Sequence, residues 1–308
     1  MTQTLVGSHK LDLDTPALCI DLDIMESNIA KMMAYMAERG KQWRPHVKCH
    51  KTPAISWKQI RAGAIGVTCA KVSEAEVFAN AGITDILIAN LIVGTKKLER
   101  VAALCRSADP IVACDHYIQA EMLSKVCVER GVKCRTIIEV DVGLERAGIK
   151  PGHDTLELAQ GMDRLPGIEL AGIMGYEGHL LQIDDQAEKR MKIFDAMEIL
   201  GQTRDAMTKS GLNCEIVSAG GTGSYQITSD VACVTELQAG GGTFAEPLYL
   251  EKCHVEGLES AVTVLATVAS RPVLGRAILD IGRKTLHPDF VLPKVKGIPG
   301  AEVLALSA

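Results

Sequence analysis

Eight short apolar runs, at 43–47, 65–70, 86–89, 111–114, 136–140, 170–175, 215–218 and 236–239, are interleaved with stretches of helical periodicity. The helical stretches run over 24–39, 73–81, 95–105, 117–130, 153–162 and 186–210, with a weak one near Ser229. Gly40 follows the first of them, where a helix needs a residue free to leave the right-handed region. A strand buried on both faces reads as a short continuous apolar run, and a helix between two such strands makes them parallel. Eight strand–helix repeats predict an α/β fold, a (β/α)8 barrel of the TIM type. At 308 residues the chain has room for it, and apolar residues are 47% with only 4% aromatic, mostly Ala, Val, Ile and Leu.

After Gly240 the pattern changes. Residues 260–269 alternate, 277–281 and 303–306 are short, and Pro272, Pro288, Pro293 and Pro299 fall among them. That reads as antiparallel strand and turn, with the short apolar run 18–21 free to join it. The expected organisation is a barrel over 25–256 and a smaller β-rich domain from 1–24 plus 257–308, read as C-terminally incomplete.

Composition narrows the function. A net charge of −5 points to no nucleic-acid partner. No apolar run approaches about 18 residues, and the start lacks a basic segment followed by an apolar one, so neither a membrane span nor a signal peptide is expected. The ten cysteines are scattered without a Cys-x-x-Cys pair, which suits a reduced, cytoplasmic protein in which they are mostly small buried hydrophobes. Cys49-His50 and Cys253-His254 lack metal-ligand spacing by themselves.

Barrel chemistry gathers at the C-terminal ends of the strands. On that rim fall Lys48, Thr68 and Lys71, Asn90, Asp115, then Asp141, Glu145 and Arg146. Tyr176, Glu177 and His179 follow the sixth run, Gly220–Ser224 the seventh, and Gln238 with Gly240, Gly241 and Gly242 the eighth. Lys48 stands among Arg44, His46, His50 and Lys51; the cluster is either a solvated basic turn or a Schiff-base lysine with imidazole neighbours. In Ser218-Ala219-Gly220-Gly221-Thr222-Gly223-Ser224, glycines let backbone N–H groups approach a phosphate and two hydroxyls can add donors. Barrels often bind phosphate in the loops after strands seven and eight, which favours that reading over a flexible loop. Arg146 can donate to an anionic ring oxygen or pair with Glu145 or Asp141. Tyr176 and His179 can face a cofactor or form a core pair.

These segments carry a resemblance. Asp14-Thr15-Pro16-Ala17 with Asp21, Arg-Pro-His-x-Lys-x-His-Lys at 44–51, Val67–Lys71 with Glu74 and Glu76, 141–148, 176–179, 218–224 and 235–240 span most of the chain. They resemble the D-threonine aldolase and D-serine dehydratase family, alanine-racemase-like (fold-type III) pyridoxal-phosphate enzymes. The resemblance implies that Lys48 forms the Schiff base to pyridoxal 5'-phosphate, with His50 and Tyr176 as further catalytic candidates. It implies cofactor contacts from Arg146, Tyr176, Ser218, Gly221, Thr222, Gly223 and Ser224. It also implies a homodimer, a small D-amino acid substrate, and in full-length relatives a divalent metal (Mn, Mg or Zn) on a C-terminal His-x-Asp or His-x-Cys motif. His287-Pro288-Asp289 matches that spacing but precedes the expected position, so no metal ligand is assigned in this chain. The implied reaction is retro-aldol cleavage of a D-configured β-hydroxy amino acid to glycine and an aldehyde. D-serine or 3-hydroxyaspartate dehydration, a non-catalytic pyridoxal-phosphate protein, and a phosphate-binding barrel enzyme without pyridoxal are the alternatives.

Overall fold

The structure, a computed structural model, describes residues 6–287 and 291–307. Its first elements are β1 (Ala17–Ile20), α1 (Leu22–Glu38), β2 (Gln42–Trp43), α2 (Pro53–Ala62), β3 (Val67–Cys69) and α3 (Val72–Asn80). Next come β4 (Asp85–Leu91), α4 (Thr95–Leu104), β5 (Asp109–Cys114), α5 (Tyr117–Arg130), β6 (Cys134–Glu139), α6 (His153–Asp163) and β7 (Ile168–Met174). Then follow α7 (Gln186–Lys209), β8 (Ile216–Ala219), α8 (Tyr225–Thr228), β9 (Glu236–Leu237), β10 (Val262–Leu265), β11 (Val268–Val273) and β12 (Arg276–Leu279).

Among the described residues, β2–β9 form one parallel sheet in the order β2-β9-β8-β7-β6-β5-β4-β3. Its two ends meet. Ile65 N donates to Trp43 O at 2.9 Å, Thr68 N donates to Pro45 O at 2.9 Å, and His46 bridges Thr68 in parallel. The barrel expected from the eight repeats is present, and each of its eight strands overlaps one of the apolar runs. Alternate side chains sort to two layers: Leu87, Ile111, Ala113, Ile137 and Met174 cluster on one face. Ile86, Ile88, Val112, Ile138 and Ile173 pack with the helices on the other. Gly40, at φ 65°, ends α1 as expected.

Three sequence expectations needed correction. The first strand does not continue regularly through residue 47: β2 is Gln42–Trp43, after which Arg44 N donates to Leu237 O and His46 N to Gln238 O at 2.9 Å, while on the β3 side Pro45 has no N–H to give and the pairing is the single bridge of His46 with Thr68. Helix α2 has no counterpart in the sequence reading. Its start is set by Pro53 in the first turn rather than by an apolar stripe, and Ser56 and Gln59 are among its buried residues. Residues 303–306 are irregular rather than extended in a sheet. Outside the barrel, β1 pairs antiparallel with β10 and β11 with β12. Asn28 of α1 ties this region on, donating to Glu259 O at 2.7 Å and accepting from Glu259 N at 3.0 Å. Among the described residues no helix is long and apolar enough to cross a membrane.

Ions occupy part of the barrel that aliphatic layers usually fill. Arg44 and Glu236 are 2% and 1% exposed. Arg44 Nε lies 3.0 and 3.1 Å from the two Glu236 oxygens, and its Nη1 donates to Asp85 Oδ1 at 2.7 Å. Arg135 continues the chain from Asp85 to Asp109. Removing one partner of a buried pair strands the other charge. Arg44→Leu is expected to lower the unfolding free energy by about 3–5 kcal/mol in chemical denaturation. A loss below about 1 kcal/mol, the size of a surface pair, would contradict this reading of the seam.

Candidate functional site

The segment after β2 turns sharply. Val47–Cys49 form one 3-10 turn, and His46 Nδ1 accepts from Lys48 N at 3.3 Å. Lys48 therefore sits on a turn beyond the strand rather than at its last residue. Its side chain opens to solvent, and its Nζ is 6.0 Å from the centre of the Tyr176 ring. Arg146 approaches the same ring, with Cζ 5.6 Å from its centre. Crowding by protein, and secondly the Arg146 charge, lower the Lys48 pKa. That raises the fraction of neutral amine, the form that attacks a carbonyl. Among the described residues Lys48 has no ion-pair partner. Lys51, by contrast, pairs with Glu74 at 3.4 Å, which separates the two lysines of the motif by role.

The two glycine-rich loops meet beside this amine. Gly242 N donates to Thr222 Oγ1 at 3.0 Å. A Cβ at Gly221 would come 2.9 Å from the Tyr176 ring, and one at Gly240 only 2.1 Å from His46 O. These glycines are required by close approach. Thr222 N and Gly223 N donate to no acceptor among the described residues, while Gly221 N is satisfied by Ser224 Oγ at 3.1 Å. Ser224 Oγ also lies 3.3 Å from Gly221 O, so its hydroxyl closes its own turn. Ser218 is fully buried; it donates to Glu236 Oε1 at 2.8 Å and accepts from Gln238 Nε2 at 3.0 Å. Thus Thr222 and Gly223 present free donors, whereas the hydroxyls of Ser218 and Ser224 are engaged within the protein.

The remaining sequence candidates divide. The 141–148 loop is held by Asp141 Oδ1, which accepts from Gly143 N at 2.9 Å and Glu145 N at 3.1 Å. Asp115 Oδ2 accepts from Gly148 N at 3.1 Å. Arg146 makes no ion pair with Asp141 or Glu145 among the described residues. His179 Nε2 would lie 3.2 Å from a Cβ at Gly143, which places His179 beside this loop. His50 packs inward: its Nδ1 accepts from Thr52 N at 3.0 Å, its ring meets Phe244 edge-on at 6.3 Å, and its Nε2 is buried with no hydrogen-bond partner among the described residues. Burial pushes the Tyr176 phenol up to about 12, so it stays protonated.

Tyr249 escaped the sequence reading. It lies on a π-helical turn, Leu248–Lys252, reached through Ala245 at φ 49°, and its ring would stand 2.5 Å from a Cβ at Gly241. The Gly240–Gly242 run was the only available signal, since a glycine run needs something bulky close by. Among the described residues, no three His, Cys, Asp or Glu side chains gather as a metal site. Asp289 of the 287–289 match lies outside the described residues.

Both histidines flanking Lys48 are held neutral. Burial, then the Lys48 charge and His50, lower the His46 pKa from 6.5 to about 3. Burial lowers that of His50 to about 4. The unfolded chain therefore binds more protons below about 6.5, and stability is lost as pH falls from there toward the folded values. The thermal midpoint is expected to drop between pH 7 and 4, and to drop less steeply in His50→Gln. Equal slopes in both proteins would contradict the burial of a neutral His50.

A family model for the alanine racemase N-terminal domain matches residues 20–246. The chain is 35% identical over 303 residues to a D-threonine aldolase of Arthrobacter sp, covering 98% of this chain and 80% of that protein. It is 32% identical over 302 residues to a 3-hydroxy-D-aspartate aldolase of Paracoccus denitrificans, covering 95% and 78%. The crystal structure of D-threonine aldolase from Filomicrobium marinum superposes with a TM-score of 0.94 at 36% identity, covering 97% of this chain and 81% of that one. With the barrel and these matches together, the chain belongs to the alanine racemase N-terminal domain family, among its D-threonine aldolase-like members.

Proposed function

We propose that this protein is a pyridoxal-phosphate-dependent lyase that cleaves D-threonine-like β-hydroxy amino acids to glycine and an aldehyde. The observation that carries the reading is the group at the rim: an amine of lowered basicity on Lys48, with Tyr176 and Arg146 beside it. The residues fit the cofactor. Lys48 would hold its aldehyde carbon, and the free N–H groups of Thr222 and Gly223 would take its phosphate. Arg146 would neutralise an anionic ring oxygen, and the Tyr176 ring would wall the pocket. Bound there, pyridoxal phosphate supplies an electron sink for bond cleavage at the substrate Cα.

The chain's own groups set the rest. Tyr176, protonated well above neutral pH, is a hydrogen-bond donor for a ligand and not a base. His50, buried against Phe244 and bonded to Thr52 N, supports the Lys48 turn from behind. His179, exposed beside the 141–148 loop, lies at the rim without a role assigned to it. In this reading residues 25–256 bind the cofactor, and 1–24 with 257–308 form the β-rich unit. A homodimer is part of the proposal, supported by the exposed Val268, Val273, Leu274 and Ile278 around β11–β12. So are a cytoplasmic location and a divalent metal; among the described residues no three His, Cys, Asp or Glu side chains cluster to hold one.

The protein incubated with pyridoxal phosphate is expected to absorb near about 420 nm and, with manganese, to release glycine and acetaldehyde from D-threonine. Lys48→Ala should abolish the band and reduce turnover by at least about 10³-fold. Ammonia and a keto acid from D-serine or 3-hydroxyaspartate would instead make it a dehydratase. A band without turnover of any such substrate would make it a cofactor-binding protein only.

A further inference from the structure

The buried ion network does not stop at Glu236. Ser218 Oγ donates to Glu236 Oε1 at 2.8 Å, and Gln238 Nε2 donates to Ser218 Oγ at 3.0 Å. The main chain of Gln238 is bonded on both sides. Its N lies 3.0 Å from Ala219 O and 3.2 Å from Gly220 O, where the glycine loop leaves β8. Its O accepts from His46 N at 2.9 Å, two residues before Lys48. Arg44 then closes the circuit, since it bonds Glu236 and lies two residues before His46 on the same chain. Arg44, Glu236, Ser218, Gln238 and His46 make one ring of bonds and backbone joining the segment that carries Lys48 to the loop after β8.

We infer that Ser218 and Gln238 are positioning residues that fix the offset between the Lys48 amine and the phosphate loop, and that Ser218 is not itself a phosphate ligand. A serine hydroxyl has one hydrogen. Here it is committed to Glu236, a carboxylate 1% exposed and itself bound by Arg44. Giving that hydrogen to a phosphate would leave the buried carboxylate short of a donor, a cost that the free N–H groups of Thr222 and Gly223 make unnecessary. Gln238 reaches the loop through its backbone, and its side chain, by holding Ser218, keeps that backbone in place. On this inference Ser218, expected from the sequence among the direct cofactor contacts, acts through Glu236 and Gln238 instead.

The inference rests on the cofactor reading above, and the test separates the two. Pyridoxal and pyridoxal phosphate carry the same aldehyde and differ in the phosphate. Their affinities are measured by absorbance titration for the wild type, Ser218→Ala, Gln238→Met and the double variant. A loosened offset weakens the phosphorylated aldehyde while leaving attack by Lys48 on free pyridoxal intact. Each single variant is expected to lower the ratio of the two affinities by about three- to tenfold, the size of one hydrogen bond. The double variant should lower it by about the same factor rather than the product, because the two residues act through one contact.

If Ser218→Ala lowers the ratio and Gln238→Met does not, Ser218 is a direct ligand and the inference fails. It fails also if both variants weaken the two aldehydes equally, as a merely structural role would. A wild type that takes up neither aldehyde overturns the cofactor reading, and the inference with it. Gln238 is partly exposed, so its variant keeps the question answerable should Ser218→Ala fail to fold.

Discussion

Arg44 holds the barrel together where its sheet meets itself. It stands just past the short strand β2, bonds Glu236 of β9 on one side and Asp85 of β4 on the other, and lies almost wholly out of solvent. Its fork-shaped guanidinium can satisfy two carboxylates at once, which a lysine ammonium would do with less directional control. The network is weak evidence for added stability, because desolvation offsets most of the attraction. What it supplies is placement. Strand β2 is only Gln42–Trp43, too short to fix the following residues by ladder bonds alone. The turn that carries Lys48 takes its position from Arg44, from the bridge at His46 and from Gly240, which lets His46 come close.

Much of this architecture was legible because parallel strands buried on both faces write themselves as apolar runs. Ile86, Leu87 and Ile88 are all buried, so their run needed no alternation to be seen. Lys48, Arg146, Tyr176 and the glycine loop were legible for a different reason: rim residues follow strands directly, and the motif marks them. What stayed hidden is long-range or polar. Arg44 and Glu236 are 192 positions apart, and no local pattern links them. Helix α2 buries Ser56 and Gln59, which its sequence presents as surface residues. Tyr249 depends on a π-helical turn that periodicity does not announce.

The electrostatics of the rim are consistent with one chemistry. Burial keeps His46 and His50 neutral, so no imidazolium stands beside Lys48 to compete for an anion. The phenol of Tyr176 remains a donor. Lys48 loses basicity to crowding and to Arg146, and the guanidinium of Arg146 leaves positive charge at the rim of the kind an anionic ligand would meet. A nucleophilic amine, a fixed cation and unpaired backbone donors thus share one mouth of the barrel.

In the proposed function Lys48, and not another lysine of the rim, carries the cofactor. Borohydride reduction of the protein with pyridoxal phosphate, followed by protease digestion and mass spectrometry, tests it directly. A pyridoxyl group is expected on Lys48 with Lys51 and Lys71 unmodified. Label on Lys51 or Lys71 in place of Lys48, or no stable label on any of the three, would contradict it.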